Sequence, residues 1–259
     1  MDGNAGDLKV EINPASVRGV LLRAVLLLAV LGAAAALARD HFGYKSLYGF
    51  VPLFDLDAEG TIPSFFSALL LLSAAILLGL VATARTDFER RWRHRWGLLA
   101  VGFAYLSLDE MVGIHERLNR PIREMLGEPG FATAWVAPGV AVVLVLAVLY
   151  LPFLLALPRR HALAFVAAGC LYLFGALALE AVAGEIIEAM GKATLLYHSE
   201  VVAEESCEML GVVFFIGALL RYLAEIGVTV GLARPAARAA PSTDAAVRAG
   251  RRRHLRPAA

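Results

Sequence analysis

Six long apolar segments recur along this chain, and short polar connections separate each one from the next. Each segment holds about 20 residues, which is the length that an α-helix needs to cross the hydrocarbon core of a bilayer. The segments cover residues 17–38, 63–84, 96–116, 133–157, 162–184 and 200–223. The pattern therefore predicts an all-α fold, a polytopic membrane protein built as a bundle of six transmembrane helices.

The composition and the placement of basic residues agree with this prediction. Hydrophobic residues make up 59% of the chain, charged residues only 18%, and the mean hydropathy is +0.68, which is typical of membrane proteins and not of soluble domains. Of the 24 Lys and Arg residues, 18 lie at the two ends of the chain and in the connections at 85–95 and 159–160. Because basic loops stay in the cytoplasm, we expect both termini there and the protein in the bacterial cytoplasmic (inner) membrane.

The two ends of the chain lack the apolar pattern. Residues 1–16 are polar, and residues 226–259 consist largely of Ala, Pro and Arg. A segment of that composition buries too little apolar surface to fold alone. We therefore predict a cytoplasmic N-terminal segment over 1–16, a transmembrane domain over 17–225, and a disordered basic cytoplasmic tail over 226–259.

Three of the predicted helices carry a high density of acidic residues in the half farther from the cytoplasm. An ionisable side chain at the centre of a bilayer costs about 3 kcal/mol or more, so acids in such segments usually mark a functional site. Ten carboxylates fall within 107–116, 178–188 and 198–211: Asp109, Glu110, Glu116, Glu180, Glu185, Glu188, Glu200, Glu204, Glu205 and Glu208. The alternating direction of the helices places all three segments at one depth. We therefore expect them to form one site.

The types of residue in these segments favour a metal centre. Carboxylates with one or two imidazoles suit iron, manganese or zinc, and helix bundles hold metals with carboxylates from several helices. The predicted metal ligands are Asp109, Glu110, His115, Glu185, Glu188, His198, Glu205 and Glu208. Glu204 is the predicted catalytic residue, a general base toward a metal-bound water. The chain lacks the Glu-x-x-His pair of ferritin-like proteins, which weakens that analogy.

Helical geometry adds an expectation about which side chains face the site. At 100° per residue, an unbroken helix over 96–116 places Asp109, Gly113 and Glu116 on one face. The acids Asp55, Asp57 and Glu59, which precede the second helix, fit a solvated acidic loop, although they could also contribute to a site on that side.

Other interpretations remain open at this level. Acids near the end of a helix, such as Glu200, are also typical of ordinary solvated helix ends. A proton or divalent-cation transporter also carries intramembrane acids, but it needs them at successive depths, and the cytoplasmic half of this chain holds almost none. A structural membrane protein would bind no metal at all.

Two motifs resemble those of known proteins. They read Leu108-Asp109-Glu110-x-x-x-x-His115-Glu116 and Glu204-Glu205-x-x-Glu208-Met209-Leu210-Gly211. With the segment 54–67, they resemble a group of uncharacterised bacterial multi-pass membrane proteins, and that resemblance implies no activity. A looser likeness is to membrane-embedded zinc hydrolases of the alkaline-ceramidase type, which use several histidines and a serine in a seven-helix bundle. This chain has two suitable histidines and six predicted helices.

The leading functional hypothesis is a metal-dependent integral membrane enzyme that acts at the periplasmic side on a lipid or other hydrophobic substrate. The expected cofactor is a divalent metal, either iron, manganese or zinc, and the chemistry is hydrolytic or oxidative. Expected partners are membrane lipids and a hydrophobic small molecule. The basic and aromatic connection at 85–97 is more typical of a membrane-interface anchor than of a nucleic-acid site, so we expect no nucleic acid to bind.

Overall fold

The computed structural model describes residues 13–126 and 132–228, and this part of the chain contains helices and turns but no strand. Most of the predicted N-terminal segment and most of the predicted tail lie outside the described residues. The helices are α1 (Pro14–Asp40), α2 (Phe50–Leu53), α3 (Ile62–Thr83), α4 (Asp87–Val112), α5 (Ile114–Leu126), α6 (Val136–Ala156), α7 (Arg159–Leu173), α8 (Glu180–Met190) and α9 (Leu195–Glu225). A six-residue π-helix, Phe174–Leu179, joins α7 to α8.

These helices confirm an all-α polytopic membrane protein. Five are long and apolar enough to cross a bilayer, namely α1, α3, α6, α9 and the continuous rod Arg159–Met190. The pair α4 and α5 makes a sixth candidate when its two helices are taken together, but they meet at an angle of 82°. We use the name acidic end for the end of the bundle at which α4 finishes and α9 begins, and the name basic end for the opposite one.

The third predicted helix is not continuous, and the expectation of a single helix over 96–116 was wrong. Helix α4 begins nine residues earlier, at Asp87, and ends at Val112. Gly113 follows with φ 57° and ψ 51°, a left-handed conformation that a residue without a Cβ adopts at little cost. Because the chain turns there, Glu116 leaves the face of Asp109 and is exposed.

Helix α9 occupies the middle of the bundle, where it packs against α1, α3 and the α7–α8 rod. Glycines allow the rod and α9 to approach closely. A Cβ on Gly175 would lie 2.8 Å from the carbonyl oxygen of Glu204, and a Cβ on Gly211 would lie 2.6 Å from the backbone nitrogen of Tyr172. Backbone contact of this kind is typical of helix pairs in membranes, which use small residues at their interfaces.

An apolar layer fills the middle of the bundle between its two ends. Its members come from α3 and α9 and are at most 1% exposed: Leu71, Leu78, Met209, Val213 and Leu219. Protein interiors are close-packed, so side chains as deeply buried as these leave few voids between them. The layer separates the polar side chains at the acidic end from those at the basic end.

Candidate functional site: an acidic cluster at one end of the bundle

Asp109 and His115 form the connection between α4 and α5. Asp109 is only 9% exposed, and its Oδ1 accepts a hydrogen bond of 2.9 Å from the backbone N–H of His115. Its Oδ2 lies 2.7 Å from Nδ1 of the same imidazole. One carboxylate therefore holds the start of α5 and also sets the orientation of the histidine ring.

Trp135, just before α6, connects His115 to the α7–α8 rod. The indole and imidazole rings lie 4.8 Å apart, and the indole Nε1 donates a hydrogen bond of 3.1 Å to Glu180 Oε1. The backbone N–H of Trp135 donates to the side chain of Asn119 at 2.9 Å, which fixes the position of the residue. The sequence reasoning did not identify Trp135, because no motif marks it as more than an interfacial aromatic residue.

The remaining acids come from α4, α8 and α9. The carboxyl groups of Glu110, Glu205 and Glu208 lie within electrostatic range of one another, and Glu180 interacts in the same way with Glu204. We call this group with its neighbours the acidic cluster, which consists of Glu59, Asp109, Glu110, His115, Glu180, Glu204, Glu205 and Glu208. Five predicted ligands (Asp109, Glu110, His115, Glu205 and Glu208) thus lie together, beside the predicted base.

The π-helix before α8 helps to place Glu180 at this site. A π-helix forms i to i+5 hydrogen bonds, so it holds more residues per turn than an α-helix and changes the face on which later residues emerge. Single π turns occur often at functional sites. A helical wheel drawn at 100° per residue along the whole rod would therefore misplace Glu180 relative to the residues of α7.

Glu200 lies one turn of α9 before Glu204 and is the most unusual side chain of this region. It is 8% exposed, and neither carboxylate oxygen has a hydrogen-bond partner among the described residues. Its electrostatic neighbours are Glu180 and Asp57, which are also acids. The expectation of a solvated helix-end charge does not fit this burial, since a buried carboxylate without a partner is strongly disfavoured.

The loop before α3 lies over the acidic end. Two of its acids are paired, whereas the sequence had predicted that they would be solvated. Asp55 accepts a hydrogen bond from Arg39, while Asp57 accepts one from the Tyr197 hydroxyl and lies 3.3 Å from Lys192 Nζ. Leu56 of the loop packs against Gly32 of α1, where a Cβ would collide with the leucine side chain. The loop is therefore attached to both α1 and α9.

Glu59 brings this loop into the acidic cluster. A Cβ on Gly113 would lie 2.8 Å from Glu59 Oε1, so the carboxylate lies directly against the turn between α4 and α5. Partial burial raises the pKa of Glu59 above its ordinary value, and the nearby carboxylates of Glu116 and Asp109 raise it further, while His115 and Arg117 oppose that change. The sequence had favoured a solvated acidic loop for Glu59, with a contribution to the site as the alternative.

Three predicted ligands lie outside the acidic cluster. Glu185 is exposed on α8, and Glu188 accepts a hydrogen bond of 2.9 Å from the backbone N–H of Ala132. His198 belongs to a separate ion-pair network, in which Nε2 lies 3.0 Å from Asp40 Oδ2 and Nδ1 lies 2.9 Å from Arg39 Nη2. Their direction around the helix axis does not bring them to the acidic cluster.

Side chains of the acidic cluster are gathered without being arranged as a finished metal site. Within residues 13–126 and 132–228, no group of three His, Cys, Asp or Glu side chains has the geometry to hold a metal ion. Side-chain rotation would be needed to bring three ligand atoms to one point. Carboxylates one helical turn apart, such as Glu204 and Glu208, lie on the same face of α9.

The basic end also contains a few buried polar groups. Glu89, only 1% exposed, accepts a hydrogen bond from the Tyr222 hydroxyl, and its Oε2 has no partner in the described part of the chain. Nearby, His161 Nε2 lies 2.7 Å from Glu225 Oε2. The apolar layer lies between these groups and the acidic cluster.

Comparison with known proteins identifies the family of this chain. Neither the curated proteins nor the solved structures contain a match to it. One family matches residues 20–222, which include every member of the acidic cluster. The match covers well over half of the chain, so the protein belongs to the family described as a domain of unknown function, DUF8692.

Proposed function

We propose that this protein is a metal-dependent membrane enzyme whose acidic cluster binds a divalent cation and acts on a lipid or other hydrophobic substrate. The observation that carries the proposal is the gathering of Glu110, Glu205 and Glu208, whose carboxyl groups lie within electrostatic range of one another. Glu200, buried and without a hydrogen-bond partner among the described residues, adds a further acid beside Glu180 of the cluster. A buried acid must hold a proton or lie beside a positive charge. Several acids in one region favour a cation, because a single ion neutralises more than one carboxylate.

The geometry of His115 supports the choice of a metal ion. Metal-binding histidines usually donate their second ring N–H to a carboxylate, which fixes the tautomer and the ring orientation. Asp109 is in position to do this at Nδ1, so Nε2 of His115 is the atom available to a metal. In this proposal Asp109 is a positioning residue and not a ligand.

The proposed ligands are His115, Glu110, Glu205 and Glu208, with Glu204 and Glu180 as the neighbouring acid pair. A bound cation would polarise a water molecule or, if it is iron or manganese, support redox chemistry. Glu204 would accept a proton from that water and share it with Glu180, which lies beside it. The metal would be iron, manganese or zinc.

The position of the acidic cluster supports the proposed substrate class. It lies near the ends of helices that are apolar enough to cross a bilayer, where a hydrophobic molecule would come from the membrane. We also propose that the acidic end faces the periplasm, because the basic residues are concentrated at the other end.

Metal content and thermal unfolding test this proposal directly. We expect purified protein to contain iron, manganese or zinc by elemental mass spectrometry, and Glu205→Gln with Glu208→Gln to lose most of it. Chelation should lower the Tm of the wild type and change the double variant far less, since a ligand stabilises only the state that binds it. The matched control is Glu185→Gln, which removes an exposed acid outside the cluster and should leave the metal content unchanged.

Two results would contradict the metal proposal. One is a wild-type protein that contains no metal, keeps its Tm on chelation and does not rebind any of the three metals. The other is equal metal content in the wild type, the double variant and the Glu185 control.

Proton or cation transport is a second candidate. The sequence argued against it because the acids lay at one depth, but the buried groups at the basic end favour it. Glu89 with Tyr222, and His161 with Glu225, supply titratable groups at a second depth. The apolar layer between the two ends would have to open for an ion to pass. Proteoliposomes containing a pH-sensitive dye provide the test, and an ion flux lost in Glu89→Gln would support this candidate over the enzyme.

A further inference from the structure

A small basic cavity lies at the basic end, where the first turns of α1 meet the last third of α9. Its volume is about 50 Å³, and its walls are Pro14, Ala15, Arg18, Gly217 and Arg221. Two of its five residues are arginines, and none is acidic. The cavity is separate from the acidic cluster, and nothing in the proposed enzyme makes use of it.

Local packing holds the cavity in shape. A Cβ on Gly217 would lie 3.4 Å from Arg18 Cδ, so the stem of that arginine runs along the surface of α9. Asn13 caps α1, and its Oδ1 accepts hydrogen bonds from the backbone N–H groups of Ala15 at 2.9 Å and Ser16 at 3.4 Å. The cap fixes the beginning of the helix at the rim of the cavity.

The two arginines of the cavity have no carboxylate partner within residues 13–126 and 132–228, unlike Arg39 and Arg160. Glu225 lies one helical turn beyond Arg221 and is the nearest acid along α9. It is already occupied by Arg160 at 2.6 Å and by His161 at 2.7 Å. Among the described residues, two guanidinium groups without a carboxylate partner therefore border one concave site.

We propose that this cavity binds the phosphate of an anionic phospholipid headgroup. Arginine presents planar N–H donors that match phosphate oxygens, and basic pockets between transmembrane helices are typical sites for anionic headgroups. The position of the cavity along α1 fits the headgroup layer of a bilayer, because α1 is a membrane-spanning candidate and Arg18 lies in its second turn. The phosphate group is the recognised chemistry, and the lipid is its source.

Lipid titration of the full chain in detergent, followed by native mass spectrometry, tests the site. We expect phosphatidylglycerol to bind the wild type more tightly than phosphatidylcholine. Arg18→Gln with Arg221→Gln should bind phosphatidylglycerol about 30-fold more weakly, since each basic residue contributes roughly fivefold in affinity. The matched control, Arg85→Gln with Arg93→Gln, removes the same charge from exposed positions at the same end and should bind nearly as the wild type does.

Thermal unfolding distinguishes a lipid from inorganic phosphate as the ligand, and it also shows whether the variant folds. Phosphatidylglycerol should raise the Tm of the wild type and of the control, but not that of the Arg18 and Arg221 variant, whose Tm without lipid reports whether it folds. Arg18→Lys with Arg221→Lys should keep part of the effect. Equal stabilisation of the wild type by inorganic phosphate would overturn the assignment to a lipid. Equal lipid affinity in all variants would overturn the site.

Discussion

Asp109 performs two structural tasks with one carboxylate, and at the residue scale this makes it the most constrained acid of the cluster. Oδ1 accepts from the backbone N–H of His115, and Oδ2 lies 2.7 Å from the imidazole. The residue is 9% exposed, so water cannot replace either contact easily. A buried donor left without its partner costs more than an average hydrogen bond contributes.

We expect Asp109→Ala to destabilise the protein by about 1–3 kcal/mol, because it leaves both donors of His115 unpaired. Asp109→Asn should cost less, since its amide oxygen can still accept from the backbone. Denaturant unfolding followed by circular dichroism measures the difference. Glu116→Ala is the control, because that acid is exposed on α5. Equal stability of Asp109→Ala and wild type would show that the turn does not depend on this carboxylate.

The raised pKa of Glu59 predicts a pH-dependent contribution to stability. The folded state binds the proton of this group more tightly than the unfolded state, whose pKa is near the ordinary value of 4.5. The contribution is therefore fully present below pH 4.5 and is lost as the pH rises through the raised folded value. We expect the Tm of Glu59→Gln, relative to the wild type, to increase over that range. A difference in Tm that is independent of pH would contradict this assignment.

At the scale of helices, glycines determine how closely the α7–α8 rod approaches α9. The positions that a Cβ would occupy on Gly175 and Gly211 are already filled by the neighbouring backbone. These contacts place α9 and its acids beside Glu180. Because close-packed interiors tolerate added volume poorly, this approach is a constraint on sequence that no hydropathy pattern displays.

We expect Gly211→Ala to destabilise the bundle by about 1–3 kcal/mol, because its Cβ would lie 2.6 Å from a backbone nitrogen that cannot move independently. Gly169→Ala on α7 is the matched control, since nothing lies within 4 Å of its Cβ position. That control should be neutral or stabilising by up to about 1 kcal/mol through helix propensity. Thermal unfolding compares the two, and equal Tm values would show that the helices separate at little cost.

At the scale of the whole molecule, the two ends of the bundle differ in charge. Acids gather at one end and arginines at the other, with the apolar layer between them. This asymmetry is the basis for the proposed orientation, and a site on the periplasmic side depends on it. The orientation can be tested without any knowledge of the substrate.

We expect the connection that contains Arg90 to lie in the cytoplasm and the loop that contains Gly60 to lie in the periplasm. Fusions of alkaline phosphatase and of green fluorescent protein at these two residues measure the location, since the first is active only outside the cytoplasm and the second fluoresces only inside. Phosphatase activity at Arg90 would invert the topology and place the acidic cluster at the cytoplasmic side.

The sequence by itself was sufficient for the membrane-protein class and for the long apolar helices, except for the break at Gly113. Hydropathy sums over about 20 neighbouring residues, so it depends little on how the helices pack. The motif around Asp109 and His115 could also be recognised from the sequence, since its residues are neighbours in the chain. Glu205 and Glu208 could be grouped in the same way, since they lie one helical turn apart.

Only the tertiary structure decided which side chains share a site. The direction of Glu185 and Glu188 depends on the rotation of α8 about its axis, which packing and the π-helix set and hydropathy does not. The bend at Gly113 depends on a left-handed backbone conformation, which a glycine permits but does not impose. Glu59, Trp135 and Glu200 acquire their environments from residues far away in the chain, through contacts that exist only after the helices assemble.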